Sequence, residues 1–259
     1  CTVMREIGRL REVSFRAVGE GTGRRRDVDA FDAYYDHIVL WDETQLELVG
    51  AYRLKRVSDL EDAQTLYSES LFEYQIPYAE EYFECGAELG RSFVQPRYWG
   101  RNGLDYLWQG LGTYLRRYPE VRYLFGPVSL SDSLPRGAKD LIIQFYQAHF
   151  PVSQPWANAN SPYKSELSEA VFGGQDYRTE FAILKEKLAD MGCAVPTLYK
   201  QYTELCDEGG VSFTAFNVDP DFADCIDGLV LVDLEKMKPA RRKRYLGEQP
   251  SGVQNSEAA

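Results

Sequence analysis

The stretch Glu88-Leu-Gly-Arg91-Ser-Phe-Val-Gln-Pro-Arg97-Tyr-Trp-Gly100-Arg-Asn-Gly103 decides how this chain folds. It opens as a strand-like run with a carboxylate and an arginine three residues apart, breaks at Pro96 and enters a glycine-bearing loop. A helical pattern follows at once, with Leu104, Leu107, Trp108, Leu111, Leu115 and Tyr118 on one side. A strand that feeds a glycine turn at a helix N-terminus offers unpaired N–H groups and the positive end of the helix dipole to an anion such as a pyrophosphate. A carboxylate just upstream can take a proton from a nucleophile. The combination points to group transfer from a phosphate-bearing carrier.

In a regular strand the odd separation of Glu88 and Arg91 sends them to opposite faces; a β-bulge between them would bring them to one side. Without a bulge they form an ordinary ion pair of little worth.

Elements are legible on either side. Arg5–Val18 reads as a helix stopped by Gly19 and Gly21, followed by a polar loop over Arg24–Tyr35. His37–Asp42 is expected as a short buried strand and Leu46–Val57 as a second, joined in an antiparallel hairpin. Asp59–Ser70 is expected as a helix and Tyr82–Val94 as a third strand. After the Leu104–Tyr118 helix comes a strand over Arg122–Leu130, interrupted at Gly126-Pro127, and a helix over Pro135–Phe150. Residues 151–175 read as a loop or lid. Two helices lead to strands at Val211–Asn217 and Gly228–Leu234 around an Asp-Pro-Asp-Phe turn, and the tail from Pro239 is expected to pack poorly. The order predicts a mixed α/β (α+β) domain over 1–245, with 151–210 as a loop and helical insertion and 246–259 as a polar tail. The strand–glycine loop–helix–strand unit in its middle is the place for a parallel pair and a ligand cleft.

Composition narrows the classes. With 259 residues, 44% hydrophobic and 14% aromatic, the chain buries a sizeable core in one large domain or two small ones. No run has the length of a transmembrane helix and none reads as a signal peptide. The chain begins at Cys1, so a fragment of a longer, bifunctional protein is one expectation. Five cysteines without a CxxC pair favour reduced thiols and a cytoplasmic location, and two histidines disfavour a zinc site, so no metal is expected. A net charge of −11 argues against nucleic acid. Arg24–Arg26 and Lys236–Arg244 are basic clusters that read either as solvated segments or as a dock for lipid headgroups or an acidic carrier protein.

Other candidates are Asp29 and Asp32, three apart and able to grip an amine, and Arg53, a charge inside an apolar strand that needs a partner. His37 and Asp42 form a His-x-x-x-x-Asp pattern, but five residues along a strand sets them on opposite faces, and a structural histidine is the better reading. Cys85 reads as a small core residue. No Gly-x-Ser-x-Gly elbow or Walker loop is present.

These pieces together resemble the GNAT-fold N-acyltransferases, in particular the ornithine-lipid and N-acyl-amino-acid synthases, some called hemolysin-like, and more distantly the acyl-homoserine-lactone synthases. The likeness rests on Arg11-x-x-x-Phe15-Arg16, Asp29-Ala-Phe-Asp32, Gly50-Ala-Tyr-Arg53-Leu54, Glu88-Leu-Gly-Arg91 and the late Asp219-Pro-Asp-Phe and Asp227-Gly-Leu-Val-Leu-Val-Asp233-Leu segments. It implies a mostly antiparallel sheet with one parallel pair forming the donor cleft. It implies transfer of a long acyl chain from acyl carrier protein or acyl-CoA, as co-substrates and not resident cofactors, to an amino-acid or amino-lipid amine. Glu88 would be the general base with Arg91 beside it. Arg11, Phe15, Asp29, Asp32 and Arg53 would shape the acceptor site, and Arg97, Gly100, Arg101, Asn102 and Gly103 the donor site. The loop keeps only part of the family's phosphate-binding pattern, which leaves the carrier protein as a donor beside CoA. Tyr106, Trp108 and Tyr146 could line an acyl tunnel or be plain core. The expected location is the cytoplasm or the periphery of the inner face of the membrane, and two other readings stand beside the transferase: lysolipid O-acylation by His37/Asp42, and a non-catalytic, membrane-associated, hemolysin-like binding protein.

Overall fold

The computed structural model describes residues 2–247. In chain order these form α1 (Thr2–Arg16), β1 (Asp36–Asp42), β2 (Glu47–Arg56), β3 (Phe72–Tyr74), α2 (Glu80–Glu84), β4 (Gly86–Val94), α3 (Gly103–Arg117), β5 (Tyr123–Leu130), α4 (Arg136–His149), β6 (Ala157–Ala159), α5 (Tyr177–Asp190), α6 (Thr197–Thr203), β7 (Val211–Asp219), β8 (Cys225–Asp233) and α7 (Pro239–Leu246). Cys1 and most of the expected polar tail, from 248 onward, lie outside the described residues.

Six strands make one sheet in the order β1-β2-β4-β5-β8-β7. Every neighbouring pair is antiparallel except β4 and β5, which run parallel through the α3 crossover. The mixed, mostly antiparallel sheet with one parallel pair is therefore what the sequence implied. Strands β3 and β6 form a separate two-stranded ribbon.

The main core lies where α3 and α4 cover one face, joining Leu107, Leu111 and Ile142 to Leu54, Leu89 and Leu124. On the opposite face, Ile7 and Leu10 of α1 meet Ala51 and Phe93. An aromatic group under the β3–β6 ribbon (Phe72, Phe125, Trp156) closes the rest of that side. Burying such a side chain fully is worth about 1.5–3 kcal/mol, so these two faces hold the sheet in register.

Several local expectations fail. Asp59–Ser70 is not helical; only 3-10 turns form, at Val57–Asp59 and Tyr67–Ser70. The second turn carries no helical apolar stripe because its backbone is recruited by a buried acid described below. The strand expected from Tyr82 starts at Gly86, after the short α2. β1 is a half-exposed edge strand, since only β2 flanks it. β5 runs unbroken through Gly126-Pro127, and the expected loop at 151–175 contains β6. The segment from Pro239 is a packed helix: Tyr245 is buried against Trp108, and its backbone oxygen lies where a Cβ on Gly112 would be.

Candidate active site

Two interruptions of the sheet create the site. In β4, Gly90 pairs with Arg53 and Phe93 with Ala51, so Arg91 and Ser92 stand opposite Tyr52 alone. That is the β-bulge that would bring Glu88 and Arg91 to one side, with Arg91 in the left-handed region at φ 50°. The second interruption lies between β4 and β5. Their parallel pairing stops after Glu88–Phe125. Gly126, at φ 152°, passes so close that a Cβ there would lie 2.1 Å from the Leu89 oxygen. Pro127 follows and has no N–H to give a ladder. Beyond this point the strands part, and a cavity of about 630 Å³ opens, lined by Gly90–Val94 of β4, Pro127–Ser129 of β5 and the end of α1.

Arg91 reaches this cavity. Its guanidinium lies between the rings of Tyr67 (4.8 Å) and Phe222 (4.4 Å), with Nε 3.4 Å from Asp27 Oδ2. Phe15, the other acceptor-site candidate on the wall, lines it as well. Glu88 does not. The bulge brings it to the Tyr67 side with Arg91, but its carboxylate is buried beneath the 3-10 turn. Oε1 accepts the Ser68 N–H (2.8 Å), and Oε2 accepts the Tyr67 N–H (3.0 Å) and the Tyr35 hydroxyl. Burial pushes the acid upward in pKa, although these hydrogen bonds oppose it.

Arg11, Asp29, Asp32 and Arg53 do meet, one layer behind the cavity. Arg11 bonds both Asp32 oxygens (3.0 and 2.7 Å), and Arg53 Nη1 bonds Asp29 (2.6 Å) and Asp32 (3.1 Å). Burial alone would raise the Asp32 pKa, but Arg11 and Arg53 hold it well below the usual range. Arg53 also faces the rings of Phe31, Tyr35 and Tyr67. These charges pair with one another one layer behind the cavity and none of the four lines it, so they position the wall and do not grip a ligand directly. Asp27, buried beside them, was not singled out by the sequence.

The donor-side candidates divide. Gly100 and Arg101 line the cavity, together with Trp99 and Leu104 at the start of α3. No side chain caps α3 at Asn102, which leaves its first N–H groups free. Asn102 and Gly103 border a second cavity of about 320 Å³ on the β1 side. Gly103 packs tightly, since a Cβ there would lie 3.0 Å from Val94 Cγ1. Arg97 turns away to Glu47 (2.7 Å) and Gln45.

His37 and Asp42 do not meet. His37 Nε2 lies 3.7 Å from Asp32, and burial lowers its pKa; Asp42 accepts from Tyr98 and caps the β1–β2 turn. Trp108 and Tyr146 are core, and Tyr106 is exposed. Among the described residues no helix is long and apolar enough to cross a membrane. The Lys236–Arg244 cluster spends much of its charge on internal contacts, Arg244 on Asp105 and Arg241 on Glu204.

The acids that do line the cavity are Glu20 and Asp227. Glu20 sits between Gly19 (φ 79°) and Gly21 (φ 108°) just past α1, and its Oε2 accepts the Ser129 hydroxyl at 3.0 Å. Burial pushes it up to about 7, with Ser129 and Arg91 pulling back. Asp227 is 5% exposed. Burial, then the charge of Asp219, raises it well above the carboxylate range. A carboxylate inside the apolar run Cys225–Asp233 was the signal for Asp227, the same signal that marked Arg53. Glu20 had none, because turn acids are common.

The chain is similar to several known proteins. Residues 10–109 match the profile of the acetyltransferase (GNAT) domain. The glycine N(alpha)-acyltransferase of Bacteroides thetaiotaomicron is 30% identical, over 94% of this chain and 77% of its own. An L-ornithine N(alpha)-acyltransferase of Brucella abortus is 29% identical over 63% of this chain and 62% of its own. A crystal structure of TofI in a ternary complex with an inhibitor and MTA covers 96% of this chain and 91% of its own, at 11% identity and a TM-score of 0.45.

Proposed function

Since this chain belongs to the GNAT acyltransferases, as a relative of the glycine and L-ornithine Nα-acyltransferases, we propose that it moves a long-chain acyl group from a thioester to the α-amine of a free amino acid. The observation that carries this reading is the parting of β4 and β5 after Glu88–Phe125, which leaves one side of β4 without a strand partner along a cavity.

A thioester arm laid in that gap replaces the missing strand. The backbone N–H groups of β4 that face the gap bond its amides and polarise the reacting carbonyl. The uncapped N-terminus of α3, with Gly100 and Arg101, receives the phosphate end of the arm. Phosphopantetheine carries that phosphate whether its source is CoA or acyl carrier protein. The amine attacks the thioester directly, with no acyl-enzyme. The exposed Arg24–Arg26 run gives a basic face for anionic headgroups, where an amphiphilic product would leave.

Glycine and ornithine differ in their side chains but share an α-ammonium and an α-carboxylate, so a site accepting such molecules must read both groups. The test is direct. Purified chain is incubated with palmitoyl-CoA or palmitoyl-acyl carrier protein and a panel of amino acids, and products are read by mass spectrometry. N-palmitoyl amino acid is expected; no N-acyl product from either donor overturns the proposal.

A further inference from the structure

Resting on that reading, we propose that Glu20 is the general base of the transfer and that Asp227 and Arg91 hold the two ends of the zwitterionic acceptor. Glu88, the acid of the central strand, then acts only through structure.

Three features carry the assignment. First, the acids lie together at the place where the strands part. Ser129 stands directly opposite Asp227 in the β5–β8 ladder, and its hydroxyl donates to Glu20 at 3.0 Å. Side chains opposite one another in such a ladder share a face, with Cβ atoms about 4.5–5.5 Å apart. Both acids line the same cavity as Arg91.

Second, the charges on the wall are held without hydrogen bonds of their own. Asp227 is 5% exposed and lines the cavity, yet its carboxylate accepts no hydrogen bond from any described residue. Arg91, with its side chain 11% exposed, is held by two aromatic faces and the Asp27 ion pair at 3.4 Å. A buried polar group without a partner costs free energy, and a ligand that supplies the partner recovers it. An α-ammonium suits Asp227, because its positive charge draws to the ionised form an acid that burial and Asp219 otherwise keep protonated, and an α-carboxylate suits Arg91.

Third, the remaining acid is suited to proton transfer. Glu20 is held at about 7, where it is ionised in part at neutral pH and still basic enough to accept a proton. Its surroundings are Arg91 from β4, Ser129 from β5, Asp227 and Cys225 from β8 and the Tyr199 hydroxyl from α6.

The step balances as follows. The α-ammonium gives one proton to the Glu20 carboxylate. The freed nitrogen lone pair attacks the thioester carbon, and the C–N bond forms as the C–S bond breaks. The second proton leaves nitrogen for the departing thiolate, giving a thiol and an amide. Glu20 then returns its proton to water.

The experiment uses the full chain with palmitoyl-acyl carrier protein or palmitoyl-CoA, glycine as acceptor, and pH profiles of kcat/KM. Glu20→Gln is expected to lose about 10²- to 10⁴-fold in kcat, the usual worth of a general base, and to lose the rising limb near neutrality. Asp227→Asn is expected to raise the glycine KM at least tenfold, against a smaller change in kcat. Ser129→Ala keeps both acids and removes the hydrogen bond that favours ionised Glu20, so it should move the limb to higher pH even if the acid variants fold poorly. A Glu20→Gln enzyme that keeps its kcat and limb, or a Ser129→Ala limb that stays in place, overturns the assignment while leaving the acyltransferase reading intact. Wild-type protein that acylates no amino acid overturns both.

Discussion

Replacing Glu88 with glutamine separates scaffold from chemistry at the carboxylate that the sequence made most conspicuous. Its oxygens face only donors: the Ser68 N–H on Oε1, and the Tyr67 N–H and Tyr35 hydroxyl on Oε2. Glutamine offers one oxygen and one NH2, so in either orientation an NH2 points at a backbone N–H. A buried donor left unmatched in this way costs about 1–3 kcal/mol. At about 2–4 °C for each kcal/mol in a chain of this size, the melting temperature of Glu88→Gln is expected to fall by roughly 2–12 °C. The activity cost should appear in the acceptor KM, because the Tyr67 backbone bonds Glu88 while its ring lies 4.8 Å from the Arg91 guanidinium. The rising limb of the pH profile should remain, since it belongs to another acid. Calorimetry and steady-state kinetics on the same preparation give both numbers. An unchanged melting temperature with a loss of about 10²-fold or more in kcat and a vanished limb would restore Glu88 as the base and refute this reasoning.

Four other substitutions probe the frame. Gly126→Ala places a Cβ 2.1 Å from the Leu89 oxygen at a φ of 152°, so a destabilisation above about 1 kcal/mol is expected in thermal melts, with weaker donor binding from the displaced β4–β5 gap. Tyr245→Ala empties a site against Trp108 and should cost about 3–5 kcal/mol in denaturant titrations, whereas Arg244→Ala, which breaks an exposed pair with Asp105, should cost less than about 1 kcal/mol. Equal small effects would show that α7 does not hold the core. Glu180 is buried, which alone would raise its pKa, but it accepts from the Gly173, Gly174 and Gln175 N–H groups and from His149, which hold it at about 2. An acid depressed on folding adds stability above its unfolded pKa and loses it as pH falls through the folded one. The stability gap between wild type and Glu180→Gln should therefore be full above about 4.5 and close toward about 2, as read by urea melts across that range.

The helices were legible where apolar spacing was long and regular, as in Leu104–Tyr118 and Pro135–Phe150. The hairpin of β1 and β2 and the parallel β4–β5 pair followed from turn and crossover lengths. The Asp59–Ser70 error has a specific cause: its polar groups answer to a distant carboxylate, Glu88, and no local pattern records that. The Pro239 helix was misjudged because its charges suggested solvent, while one aromatic, Tyr245, pins it to α3. At the site, spacing left open whether a bulge lies between Glu88 and Arg91, and the structure has one. Spacing does not say which of the two side chains the bulge exposes. The turn donors took Glu88, and the aromatic faces of Tyr67 and Phe222 carried Arg91 to the cavity.

The Arg and Asp residues that the sequence assigned to the acceptor explain why that division is stable. Arg11 and Arg53 share the buried acid Asp32, Arg53 also pairs with the half-buried Asp29, and Asp27 lies between Arg11 (3.0 Å) and Arg91 (3.4 Å). Removing one member leaves an uncompensated buried charge, at a cost of about 3–5 kcal/mol. A group under that constraint cannot also release and rebind a substrate at each turnover. Arg91 differs because it has only one long contact in the network and makes its other contacts through ring faces, which leaves its hydrogen-bond donors uncommitted. The cavity acids differ for the same reason: among the described residues Ser129 is the only side chain that hydrogen-bonds Glu20, and none bonds Asp227. Chemistry is therefore assigned to the charges that line the cavity, and the ion pairs one layer behind hold them in place.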